Sequence, residues 1–160
     1  MTKEEKKVVK IERMAYTKDK LPSTFALLAI LANVFYFVCI YRTNLSFYYS
    51  YMVGLSVITN LLFMLATFLC SEGVKAYKKA FGITMIVLGA IEMGRIFYYP
   101  FKGLTTIEST TNLPVMDAAQ FARTVIYLSV AAGLLIAGGI LSIRNSTILA
   151  NSIKEKESKE

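Results

Sequence analysis

From Thr43 to Ser71 the chain runs for 29 residues without a charged side chain. A run of that length is far longer than a buried strand. Inside hydrocarbon its backbone amides could be satisfied only within a helix or a closed barrel. Barrel strands alternate polar and apolar residues over segments of about ten, whereas this run is continuously apolar. The expectation is a helix that crosses a bilayer.

Three other segments have the same character. At about 1.5 Å rise per residue, some 20 residues cross roughly 30 Å of hydrocarbon. Spans are expected at about 22–41, 47–70, 80–99 and 124–143. Hydrophobic residues make up 55% of the 160-residue chain and charged residues 18%, against about 25% charged in soluble domains. The expected fold is all-α, an integral membrane four-helix transmembrane bundle. Residues 1–21 form a basic cytoplasmic segment, 22–144 the transmembrane domain and 145–160 a charged cytoplasmic tail. A cleaved signal peptide fits the first span poorly, because its apolar run exceeds the usual 7–15 residues.

Orientation follows from the lysines and arginines. Seven lie between Lys3 and Lys20, three more are Lys75, Lys78 and Lys79, and four lie between Arg144 and Lys159. Only Arg42, Lys102 and Arg123 fall on the opposite side. Cytoplasmic flanks carry the excess of Lys and Arg, so both termini are expected inside. Compact loops lean the location towards a bacterial cytoplasmic membrane.

Missing residue types narrow the chemistry. The chain has no histidine, only two cysteines (Cys39 and Cys70, with no C-x-x-C pair) and only two aspartates, Asp19 and Asp117. Imidazole-based metal or haem ligation, Ser-His-Asp catalysis and dithiol redox chemistry therefore lack their residues. No catalytic residue, metal ligand or cofactor is assigned. Despite the net charge of +7, nucleic acid is not an expected partner, because the positive charge flanks apolar spans. Cys39 and Cys70 are expected near opposite ends of their spans, too far apart for a disulfide.

Polar residues inside apolar spans are expensive and mark structural or functional contacts. Glu92 and Arg95 stand three apart, on one helix face, and are expected to pair. Counted back from Pro100 as the outer boundary, they lie roughly 12 Å and 7–8 Å deep. Asn33 and Asn60 fall near the middle of the first two spans. They are read as interhelical hydrogen bonders, or as a polar track if both point at Glu92. Asp117, Gln120 and Arg123, with Thr124, form a polar stripe at the outer start of the last span. This stripe is either an outer vestibule that meets Glu92 and Arg95 or an ordinary interfacial turn. The fourth helix is expected to begin near Pro114.

Two ladders of small residues suggest close helix packing. They are Ser129, Gly133 and Ala137 in the fourth span and Ala90 with Gly94 in the third. Their use is either a seam between helices three and four or docking to another subunit. Tyrosines and phenylalanines from Tyr36 to Tyr51 and from Phe97 to Phe101 gather at the outer side, as an aromatic belt would. At the amino terminus, Val8, Ile11 and Ala15 recur at helical spacing among basic residues. That segment is either a surface helix drawn to anionic lipid headgroups or a solvated tail. Pro22 is expected to end any such helix, and Ser23 or Thr24 to cap the next. The patterns Asn44-Leu45-Ser46 and Asn145-Ser146-Thr147 match glycosylation acceptors but lie too near the membrane and inside, respectively.

The functional expectation is a non-enzymatic accessory or structural subunit of a membrane complex, bound to a protein partner or to copies of itself. The alternative is a small oligomeric transporter or channel with its polar site at Glu92 and Arg95. A lipid-acting membrane enzyme using Glu92, Arg95, Asp117 and Arg123 ranks third, since two scattered acids are thin support for acid–base work.

Overall fold

The computed structural model describes residues 16–41, 47–107 and 114–158, together with Val9, Met14 and Asn112. Val8, Ile11 and Ala15, most of the amino-terminal basic residues and residues 42–46, expected as an outer loop, lie outside the described residues, as do the side chains of Phe47, Tyr48 and Tyr49. The chain is all-helical. Its elements are α1 (Lys20–Tyr41), α2 (Phe47–Lys75), α3 (Lys79–Thr105) and α4 (Ala118–Glu157). Among the described residues the sole β contact is an isolated bridge between Ile107 and Pro114. All four helices are long and apolar enough to span a membrane.

Neighbouring helices run antiparallel. Asp19 N donates to Lys75 O, Ser23 Oγ meets Ser71 Oγ at 2.8 Å, and Tyr36 Oη meets Ser56 Oγ at 3.2 Å. These contacts fix α1 against α2. Asn145 Nδ2 donates to Asp19 Oδ2 at 2.8 Å, and Gln120 Nε2 donates to Cys39 O at 2.9 Å, which pins α4 along α1 at both ends. Each helix therefore packs on two others. The α3–α4 seam is the most extensive and the α2–α3 seam the thinnest of the four.

Side-chain size is distributed inside out. On α1 the buried face carries Ala26, Ala29 and Ala32, while Leu27, Leu28 and Leu31 are about half exposed. In water that arrangement would forfeit burial of the larger apolar groups. It suits a surround that is itself apolar, where helices associate through close van der Waals contact.

The α3–α4 seam is built by glycines, though not those the sequence spacing suggests. A Cβ on Gly139 would stand 2.7 Å from Gly82 O, and one on Gly89 would stand 2.7 Å from Ile136 Cγ1 and 3.1 Å from Ala132 O. Gly94 and Gly133 have open space around them, and Ala90 is exposed. Ser129 and Ala137 are half-buried. The expected intrachain seam through Ala90 and Gly94 is therefore replaced by one rotated to the neighbouring face. The physical reason is that Glu92 turns inward. Gly82, Met85 and Gly89 share its stripe at steps of three and four, and Ala90 and Gly94 do not.

Helix ends depart from expectation in three places. Lys20 opens α1, so Pro22 sits in the first turn, where its missing N–H has no intrahelical partner to lose. Ser23 and Thr24 are therefore not caps: Ser23 bonds Ser71, and Thr24 Oγ1 donates to Lys20 O at 2.9 Å. Helix α3 continues through Pro100 to Thr105 rather than stopping at the proline. The fourth helix begins at Ala118 instead of near Pro114, because Asp117 Oδ1 accepts the Gln120 amide at 2.6 Å in the manner of an N-cap. It then runs unbroken for 40 residues into the charged tail, a length of about 60 Å.

The α2–α3 connection is short. Gly73 lets the Phe81 ring lie against it, since a Cβ there would come within 2.3 Å of the ring. Tyr77, at φ 54°, takes the left-handed position that terminates α2.

Candidate functional site: a polar layer between two apolar clusters

Glu92 is the midpoint of the 27-residue helix α3, 13 residues from either end. The helix persists past Pro100, so Glu92 lies about 20 Å from each helix end. Its side chain is fully buried. Arg95 Nη1 donates to Glu92 Oε2 at 2.8 Å, closing the pair that the i, i+3 spacing suggested.

The guanidinium is held on every side. Arg95 Nη2 donates to Asn60 Oδ1 at 3.0 Å, and Nη1 also reaches Asn33 Oδ1 at 3.5 Å. Its carbon centre lies 5.1 Å from the Tyr36 ring and 5.2 Å from the Phe63 ring, within range of attraction to both π faces. Asn60 Nδ2 donates to Asn33 O at 3.2 Å, and Asn33 Nδ2 donates to Ala29 O at 3.2 Å. Four polar side chains from α1, α2 and α3 thus make one connected network. Both asparagines point into it, each accepting from Arg95.

One atom in the network is left over. Glu92 Oε1 is buried and has no hydrogen-bond partner among the described residues. Beside Arg95 a cavity of about 190 Å³ opens between α2 and α3, lined by Tyr36, Ser56, Thr59, Arg95, Tyr98 and Tyr99.

The layer separates two apolar clusters. Towards the Lys20 end lie Ala26, Ala29, Cys70, Met85, Ala131 and Leu135. Towards the other end lie Tyr36, Ile40, Tyr99, Met116 and Leu128. Tyr36 and Tyr99 fall within the expected aromatic belt, yet they are 1% and 8% exposed. The signal was present in the spacing: Tyr36 follows Asn33 by three and Tyr99 follows Glu92 by seven, each on the inward face. Tyr51, Phe97 and Phe101 do face outward.

The stripe on α4 does not join this network. Thr124 turns inward and is fully buried, donating to Gln120 O at 2.7 Å. Asp117 and Arg123 are exposed and line a different cavity, between α1 and α4. The expected meeting of Asp117, Gln120 and Arg123 with Glu92 and Arg95 is not found, because Arg95 bonds to residues of α1 and α2 while Arg123 lines the cavity between α1 and α4. Among the described residues no three His, Cys, Asp or Glu side chains converge as metal ligands would. Both cysteines are free.

Comparison with protein-family models, with curated proteins and with solved structures finds no match to this chain.

Proposed function

We propose that this chain is an integral membrane protein of four antiparallel spans with both ends in the cytoplasm. In this reading it serves as a non-enzymatic accessory or structural subunit of a membrane complex, and the Glu92–Arg95–Asn33–Asn60 layer is the clamp that sets how its spans pack. The observation that carries the proposal is the saturation of Arg95. Its guanidinium meets a carboxylate, two amides and two aromatic faces of its own chain, so it has little left to offer a solute. Buried polar networks of this kind specify one packing arrangement. What remains for function is the outer surface, where Ala90, Gly94 and Gly133 leave room for the close approach of a partner helix or a second copy.

Topology and assembly are directly testable. Membrane-impermeant labelling of single-cysteine variants at each end should modify both from the cytoplasmic face only. Extraction in mild detergent followed by sizing should yield a species larger than one chain. A monodisperse single chain would overturn the subunit reading.

A transporter or channel is the second reading, favoured by the partnerless Glu92 Oε1 and the cavity at Arg95. It requires that Glu92→Gln with Arg95→Gln abolish solute uptake in reconstituted vesicles while assembly persists. Intact assembly with no uptake by the unaltered chain would leave the structural role standing.

A further inference from the structure

At the end of the helices remote from Lys20, α1 and α4 frame a cavity of about 480 Å³ that is separate from the polar layer. Its lining follows a definite order along α4. Asp117 stands outermost, then Gln120, Arg123 and Tyr127 at successive steps of three or four residues. Phe35 and Val38 of α1 supply the facing wall. The floor is the Phe35–Tyr127 stack, with ring centroids 5.6 Å apart. Gln120 is fixed by its bond to Cys39 O, which holds the two helices at this level.

The two charged groups are unspent. Arg123 has neither an ion pair nor a hydrogen bond to any described residue, and it does not pair with Asp117 although both line the same cavity. Asp117 Oδ1 accepts the Gln120 amide and leaves Oδ2 open. Six residues of helix separate the two by about 9 Å along the axis, and an arginine stem can lean outward to shorten that gap. From outside to inside the cavity therefore presents an anion, a cation and an apolar aromatic floor.

The geometry points to a phospholipid site for a headgroup bearing both a phosphate and a primary ammonium, with Arg123 on the phosphate, Asp117 on the ammonium and an acyl chain along Phe35, Val38 and Tyr127. A phosphatidylethanolamine carries these groups in the same order, with ammonium outermost, phosphate beneath it and hydrocarbon deepest. Guanidinium to phosphate is a charge-assisted and frequently bidentate contact. A lipid with phosphate but no cation would leave Asp117 facing an anion, and a quaternary ammonium offers Asp117 no N–H. The inference rests on the membrane reading above.

The test uses the full chain reconstituted in bilayers of equal parts phosphatidylethanolamine, phosphatidylglycerol and phosphatidylcholine. After extraction in mild detergent, the retained lipid is measured by mass spectrometry. The ethanolamine lipid should be enriched about tenfold over the other two, and Arg123→Ala should lower its retention about tenfold, the scale of one charged hydrogen bond. Asp117→Asn keeps a capping residue and should retain phospholipid while losing the preference for ethanolamine over glycerol headgroups. Inorganic phosphate in the extraction buffer should leave retention unchanged. Equal retention by Arg123→Ala, a preference for the glycerol lipid, or displacement by inorganic phosphate would each overturn the assignment. A chain that stays dissolved without detergent would defeat the membrane reading itself, whereas an inserted chain with no lipid preference would defeat this inference alone.

Discussion

Arg95 on α3 donates to Asn60 on α2 across 3.0 Å, and this bond ties together the two neighbouring helices that share the thinnest seam. Where packing area is small, a directional contact can decide which helix faces meet. The same guanidinium neutralises a carboxylate at the centre of α3.

Removing one member of that pair should therefore cost more than removing both. Arg95→Met leaves Glu92 buried with neither oxygen partnered, and breaking a buried pair in this way costs about 3–5 kcal/mol. The double change Glu92→Leu with Arg95→Met should recover most of the loss. Thermal or denaturant unfolding in detergent reads the difference. Losses that simply add would show that the two residues do not act as a unit.

The glycine seam predicts a sharp contrast between positions of the same residue type. Gly139→Ala drives a methyl towards Gly82 O, and Gly89→Ala drives one towards Ile136 and the Ala132 carbonyl. Each should destabilise by about 1–3 kcal/mol through overpacking. Gly94→Ala and Gly133→Ala meet open space and should be neutral, or stabilising by up to about 1 kcal/mol from the gain in helix propensity. If the second pair instead disrupts an oligomer while the fold melts unchanged, the exposed small residues are a docking face.

Thiol reactivity should separate the cysteines. Cys39 is partly exposed and Cys70 is 3% exposed within the apolar cluster at the Lys20 end. In native detergent-solubilised protein, Cys39→Ser should remove nearly all rapid labelling by a maleimide, and Cys70 should react only on unfolding. Electrophoretic mobility of the monomer should be the same with and without reductant.

Alkaline stability should depend on Tyr77, which lies in the α2–α3 connection. Burial raises its phenol above the ordinary value of 10.0, the charge of Asp19 raises it further, and a hydrogen bond with Thr17 opposes both. A raised value means that the unfolded chain gives up this proton first. The contribution is thus complete below about pH 10 and is lost as pH climbs through the native value. Melting temperature followed from pH 9 to 11 should fall less steeply in Tyr77→Phe than in the unaltered chain. Asp19→Asn, which removes the second cause, should bring the native value down towards the unfolded one and so make the fall smaller. Identical slopes in all three proteins would exclude Tyr77 as the titrating group.

Much of the architecture is legible in the chain itself. The uncharged run from Thr43 to Ser71 and its three counterparts are continuous apolar lengths, and backbone hydrogen bonding leaves such lengths one regular form. The Glu92–Arg95 pair was readable as well, because three residues of helix place two side chains on one face. The ends were less legible. Pro100 reads as a stop by its chemistry, yet α3 passes through it, and Asp117 rather than Pro114 sets the start of α4.

Sequence alone determined the number of helices, the apolar lengths at their centres and the charged pair at i, i+3, since these depend on local geometry and on solvation of each segment by itself. Tertiary structure decided which faces turn inward: that Asn33 and Asn60 both close on Arg95, that Gly82, Gly89 and Gly139 make the seam while Gly94 and Gly133 face out, and that Arg123 lines a separate cavity. The reason is that α1 and α2 turn large apolar side chains such as Leu28, Leu31, Leu62 and Leu65 outward, so no hydrophobic stripe announces their inner faces. Rotation about each axis is chosen only when small residues and polar partners from different helices come within contact distance.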